Sequence, residues 1–186
     1  MNPVFSSEIE YKTPITLLQA LNERKNYEHR FIVPDEKFDY FEKEIKKDKE
    51  LASMPVKKYV AKGSSAVVFE TPDGNILKLT EGSHFPLKRP IEEFDVPIYK
   101  MGKVGGVRYY IEEKLYQHGL SDGFVLEIMD MIKSKGYKPS DLDSFDVHQI
   151  GISKDGHLYL LDPECAKYKN IFSALWHKTK NLFRHL

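Results

Sequence analysis

Apolar residues recur at helical spacing in some stretches and alternate with polar ones in others. From Asp122 to Lys135, Phe124, Val125, Ile128, Met129, Met131 and Ile132 form a broad apolar stripe, and Gly136 stands where a helix stops. Pro34-Asp35-Glu36 opens another helix with acids near its positive end. Phe38, Phe41 and Ile45 line one face of it, and Leu51 extends the stripe. A weaker pattern predicts a helix from Thr13-Pro14 to about Arg24, with Ile15 and Leu18 inward. Residues 1–12 read as a leader or a loose edge element.

Past Pro55 the pattern becomes extended. Lys57 to Ala61, Val67 to Phe69 and Ile76 to Thr80 read as strands joined by Gly63-Ser64-Ser65 and by Pro72-Asp73-Gly74-Asn75. Two such connections predict a three-stranded antiparallel sheet. Val96 to Tyr99 and Val107 to Leu115 are further strands around Gly102, Gly105 and Gly106. A last hairpin joins Ile150–Ile152 to Leu158–Leu161 through Lys154-Asp155-Gly156. Tyr168 to Leu186 reads as a helix with Phe172, Leu175, Trp176, Phe183 and Leu186 apolar.

Bulk properties narrow the function classes. The chain has 186 residues, 41% hydrophobic and 30% charged, the balance of an ordinary globular domain. Lys+Arg and Asp+Glu both total 28, so the formal net charge is +0, which argues against a nucleic-acid coat protein. The single Cys165 excludes an internal disulfide. No run of apolar residues is long enough to span a membrane and the N-terminus carries no signal pattern, so a cytoplasmic location is expected. The histidines form no HExxH pattern, and Ser64 and Ser65 sit in no nucleophile elbow. Glu112 and Glu113 are adjacent on a strand and face opposite ways, which argues against shared acid/base work.

Two charged residues stand out by position. Lys78 lies mid-strand between Leu77 and Leu79, where an amine needs a counter-charge or a polar cleft, unless it snorkels at an edge. Asp162 follows the apolar strand Leu158-Tyr159-Leu160-Leu161 and precedes Pro163. A carboxylate there suits a divalent ion, or caps a turn.

The ordered set of elements resembles the protein kinase-like superfamily over roughly residues 56 to 167. Lys62-Gly63-Ser64-Ser65-Ala66-Val67-Val68-Phe69 is similar to a shortened glycine-rich loop. Ile76-Leu77-Lys78-Leu79 resembles the strand bearing the phosphate-pairing lysine, and Ile111-Glu112-Glu113-Lys114-Leu115 the strand entering the hinge. Asp146-Val147-His148-Gln149-Ile150-Gly151-Ile152, followed by Leu160-Leu161-Asp162-Pro163-Glu164, resembles the catalytic-loop hairpin and the metal-binding aspartate motif.

The resemblance implies a minimal two-lobed α+β fold. Residues 1–55 would be a helical extension, 56–117 an antiparallel N-lobe sheet, and 118–186 a reduced helical C-lobe. It implies ATP with Mg2+ or Mn2+, held by Gly63, Ser64, Ser65, Ala66, Lys78, Glu113 and Leu115, with Asp162 and Gln149 on the metal. Asp146, or failing that Asp143, would orient the acceptor hydroxyl. The glutamate that holds the lysine would be Glu81, Glu92 or Glu93, or Glu42 or Glu44 from the second helix. Gln149 replaces the family's asparagine, and Asp162-Pro163-Glu164 replaces aspartate-phenylalanine-glycine. Two functions follow: a phosphotransferase acting on a hydroxyl acceptor, or a pseudokinase that serves as a nucleotide-binding or interaction module. Lys169, Lys178, Lys180 and Arg184 make the C-terminal helix basic, a docking face for a protein partner or a helix packed on the larger lobe; nucleic acid is disfavoured.

Overall fold

A computed structural model describes residues 9–28, 36–63, 66–81, 93–117, 119–140, 142, 147–161 and 165–168. The chain divides into two compact units, Met1–Lys88 with Ile98–Lys114 and Arg89–Pro97 with Leu115–Leu186. Both mix antiparallel strands with helices, an α+β organisation.

The first unit is built on a six-stranded antiparallel sheet. Its strands are β1 (Ile9–Thr16), β2 (Pro55–Lys62), β3 (Ala66–Glu70), β4 (Ile76–Glu81), β5 (Ile98–Val104) and β6 (Val107–Glu112), in the spatial order β1-β2-β3-β4-β6-β5. Three helices precede β2: α1 (Leu17–Glu28), α2 (Glu36–Ile45) and α3 (Lys49–Ala52). Alternation turns Val67, Phe69, Leu77, Leu79 and Val107 to one face of the sheet. There they join Tyr59, Leu17, Leu21, Phe38, Phe41 and Ile45 in a fully shielded core. Arg24 closes its edge, with the guanidinium carbon 4.1 Å from the centre of the Tyr59 ring.

The first helix starts later than the Thr13-Pro14 pattern predicts: β1 continues through Thr16 and the helix begins at Leu17. The cause is a capping box. The Gln19 amide donates to Thr16 Oγ1 (3.2 Å), and Gln19 Oε1 accepts from the Thr16 amide (2.9 Å). Reciprocal capping satisfies two otherwise orphaned amides, which the Thr13-Pro14 start would not. The second helix keeps its predicted face but breaks after Ile45, because Asp48 Oδ1 accepts from the Leu51 amide (3.0 Å) and starts α3. The strand expected at Val96–Tyr99 runs instead from Ile98 to Val104.

Helix α2 is tied to the β5–β6 turn through one side chain. Glu44 Oε2 accepts from the Gly106 amide (2.9 Å), and its other oxygen pairs with Lys47. The Lys47 bond, then the Gly106 bond, hold the carboxyl below its usual value. Gly105 has φ of 55°, and a Cβ there would lie 1.7 Å from Glu44 Oε2, so only glycine fits.

The second unit packs α4 (Asp122–Ser134) on short strands: β7 (Tyr137–Pro139) pairs with β10 (Ala166–Tyr168), and β8 (Ile150–Ile152) with β9 (Leu158–Leu160). Val125, Ile128 and Ile132 meet Phe94, Tyr137, Ile150, Leu160 and Cys165 in a separate core. Gly136, with φ of 86°, ends α4 as its position in the sequence predicts. Cys165 is free and buried. Among the described residues, no helix is long and apolar enough to cross a membrane. The C-terminal helix expected from Tyr168 to Leu186 lies outside the described residues, save that Tyr168 closes β10.

Candidate functional site

Strand pairing in the first unit fixes which residues share the face opposite the core. Antiparallel partners point the same way, so the register sorts that face into rows. One row runs Ala66, Thr80, Arg108, Lys103 across β3, β4, β6 and β5. The next runs Val68, Lys78, Tyr110, Met101. The third runs Glu70, Ile76, Glu112, Ile98. One end of the face therefore carries Arg108 and Lys103, and the other carries Glu70 and Glu112 with Lys58 of β2 registered opposite Glu70; Lys78 lies in the middle row.

This face is polar yet shielded. Thr80 is 0% exposed, Glu112 5%, Glu70 7% and Tyr110 7%, whereas Met101 at the β5 edge is 41% exposed. At the Glu70 end Lys114 Nζ pairs with Glu70 Oε2 at 2.7 Å. Opposite charges withdrawn from water attract one another more strongly than exposed ones do.

Lys78 is half-buried on this face and not on the core face. Ala66 opens β3 and is buried in the adjoining row. Gly63 lies in the β2–β3 connection; its amide donates to the Ala66 carbonyl (2.9 Å), and its own carbonyl accepts from Lys37 Nζ (3.0 Å). Its φ is not in the left-handed region, and a Cβ there would meet no atom of the described residues within 4 Å. Neither its conformation nor packing among the described residues therefore requires glycine at this position. Glu113 is half-buried just past β6. Ser64 and Ser65 lie outside the described residues.

Of the glutamates that the resemblance offers as partners for Lys78, Glu44 is engaged by Gly106 and Lys47, and Glu42 pairs with Lys46 at 2.6 Å. Glu81 alternates with Lys78 through Thr80 and therefore points to the core side of β4. Glu93 pairs with Lys135 at 3.6 Å, and Glu92 lies outside the described residues.

In the second unit Leu115 packs against Gly151, where a Cβ would come within 2.6 Å of the leucine Cβ. Gln149 ends a short 3-10 turn, Val147–Gln149, and its carbonyl accepts from the Leu161 amide (2.8 Å). Gln117 Nε2 holds the same turn through the carbonyls of His148 (3.2 Å) and Ile150 (3.1 Å). Asp143, Asp146 and Asp162 lie outside the described residues. Among the described residues, no cluster of His, Cys, Asp and Glu is arranged to hold a metal ion.

Thr80 and Arg108 escaped the sequence reading. Each is an ordinary strand residue until β4 pairs with β6; only the register places them beside Lys78.

No protein-family profile matches the chain. Trigger factors from Thermoanaerobacter sp. (strain X514) and Thermoanaerobacter pseudethanolicus (strain ATCC 33223 / 39E) are each 31% identical over 102 residues. That match takes in 50% of this chain but 24% of theirs, so the chain spans about a quarter of the length of these curated relatives. Among solved structures, monomeric WbdD superposes with a TM-score of 0.43 at 15% identity, covering 67% of this chain and 40% of WbdD. A second WbdD structure gives 0.43 at 14% identity, covering 62% and 34%. The structural similarity to WbdD is weak and of low identity.

Proposed function

We propose that the chain is a minimal kinase-like domain that binds ATP with Mg2+ or Mn2+, the phosphates lying against the polar sheet face at Lys78. The observation that carries this reading is the placement of Lys78 in the middle row of a shielded polar face, across from Tyr110 and away from the core. A phosphate chain requires cationic donors where bulk water does not compete, and an amine on this face supplies one. The dispensability of glycine at position 63 for packing among the described residues supports close approach of a ligand to the β2–β3 connection. When bound, the metal would neutralise phosphate charge, with Asp162 and Gln149 as the proposed ligands. Lys78 would hold the phosphates, and Asp146, or Asp143, would orient an acceptor hydroxyl for phosphoryl transfer.

The alternative is a pseudokinase that keeps the binding face and lacks transfer. The engagement of Glu44 by Gly106 and Lys47 favours it, since that glutamate is committed to the β5–β6 turn and not to Lys78.

Calorimetry with ATP, with and without Mg2+, tests binding. Wild type is expected to bind, with metal strengthening the interaction, and Lys78→Met to weaken it by about tenfold or more. Absence of binding by wild type under both conditions sinks the proposal. Transfer from labelled ATP to acceptors in a cell extract, lost in Asp146→Ala, separates the kinase from the pseudokinase.

A further inference from the structure

The Arg108 end of the polar face carries donors that no group among the described residues accepts. Thr80 is 0% exposed and its Oγ1 has no hydrogen-bond partner. Arg108, its registered partner on β6, has Nε and Nη1 both shielded from solvent and both unpartnered. Arg108 as a whole is half-buried, but shielding two of its guanidinium nitrogens and the Thr80 hydroxyl without acceptors is costly, so a folded protein has reason to carry them only where something fills the gap. Carboxylates on the same face do not. The adjoining row holds Val68, Lys78, Tyr110 and Met101, and the acids Glu70 and Glu112 stand a further row away. That separation is roughly 13 Å along the strand, too far for a hydrogen bond. The flanking positions are Lys103, a further cation, and Ala66, a side chain too small to fill space.

We propose that Thr80 and Arg108 form a phosphate-binding subsite of their own, one row beyond the position at Lys78. Neighbouring strands lie about 4.8 Å apart, so a hydroxyl on one and a guanidinium on the other reach the same anion. A phosphate group presents several acceptor oxygens to the three orphaned donors, and Arg supplies the directional, permanently charged part of the contact. The subsite stands on these donors alone and does not require the nucleotide reading. Its phosphate belongs either to the nucleotide itself or to a phosphorylated acceptor.

The test uses the full chain with inorganic phosphate as the probe, against chloride at matched pH and ionic strength. Phosphate is expected to raise the unfolding midpoint above that in chloride, in proportion to its occupancy. Thr80→Val and Arg108→Met are each expected to weaken phosphate binding by about tenfold or more, while raising the midpoint in phosphate-free buffer. That second effect follows because an apolar isostere removes an orphaned buried donor. Equal wild-type midpoints in phosphate and chloride overturn the proposal, whether or not the variants fold. So does wild-type phosphate affinity in both variants. Lys78→Met is expected to weaken ATP binding by about tenfold or more and keep the phosphate response, so the two proposals fail separately. Saturating ATP distinguishes the sources: competition assigns the subsite to the nucleotide's own phosphate, and simultaneous binding assigns it to a phosphorylated acceptor.

Discussion

The two faces of the six-stranded sheet share the same strands and register, yet they are built to opposite ends. On β4, Leu77 and Leu79 enter the core while Lys78 and Thr80 point away from it. On β6, Val107 is fully buried among apolar side chains while Arg108, Tyr110 and Glu112 form the polar face. Apolar burial holds the unit together on one side. On the other, polar groups are withdrawn from water, Glu70 in an ion pair with Lys114.

The difference predicts opposite outcomes for neighbouring substitutions. The largest effect belongs to the core face. Leu79→Ala or Phe69→Ala is expected to destabilise the protein by about 2–5 kcal/mol, read as a lower urea midpoint with unchanged slope. A loss below about 1 kcal/mol would mean that this face is not the packed one. Lys78→Met, one residue from Leu79, is expected to shift stability by less than about 0.5 kcal/mol while weakening ATP binding by about tenfold or more. A folded variant with wild-type affinity would erase the contrast.

A smaller effect tests how helix α2 is fastened to the sheet. Glu44→Gln loses the ion pair with Lys47 and weakens the acceptor for the Gly106 amide. Faster hydrogen exchange at Gly106 is expected, with exchange at the centre of β4 unchanged. Unaltered exchange at Gly106 would show that the carboxylate is not what holds the turn.

The smallest effect lies in two turns with one construction. In Thr71–Asn75, the Thr71 hydroxyl bonds Asp73 and accepts from the Asn75 amide (3.1 Å), while Asn75 Nδ2 donates to Asp73 Oδ2 (2.7 Å). In Ser153–His157, the Ser153 hydroxyl bonds Asp155 and accepts from the His157 amide (3.0 Å), and His157 Nδ1 lies 2.9 Å from Asp155 Oδ2. Gly74 and Gly156 take φ of 84° and 90°. Both carboxyls are held below their usual value, first by the hydroxyl and, for Asp155, next by His157. A carboxyl depressed in the folded state contributes stability above its unfolded pKa and loses it as pH falls through the folded one. Asp155→Asn is therefore expected to lower stability slightly at neutral pH and to flatten part of the further loss below about pH 4. An unchanged acid limb would contradict the assigned cause.

These turns also show what a sequence makes legible. Their chemistry is local: a residue with a hydroxyl, an aspartate and a left-handed glycine within five positions, so Pro72-Asp73-Gly74-Asn75 and Lys154-Asp155-Gly156 read directly as turns. The α4 stripe and its Gly136 stop are local in the same sense. The start of α1 was misplaced because Thr13-Pro14 and Thr16-Leu17-Leu18-Gln19 are both plausible openings, and the strand pairing of Ile15 with Val56 decides between them. The polar face was legible only at Lys78, flanked as it is by leucines. Arg108 gains meaning from strand register, a long-range property that no local pattern encodes.

The most direct test of the account is an NMR titration of the full chain with Mg2+ and ATP, following side-chain methyls on β4. The account predicts that the Thr80 methyl shifts progressively to saturation while the Leu77 and Leu79 methyls, on the opposite face, hold their positions. Saturable binding that leaves Thr80 unmoved, or that moves the leucines instead, would contradict it.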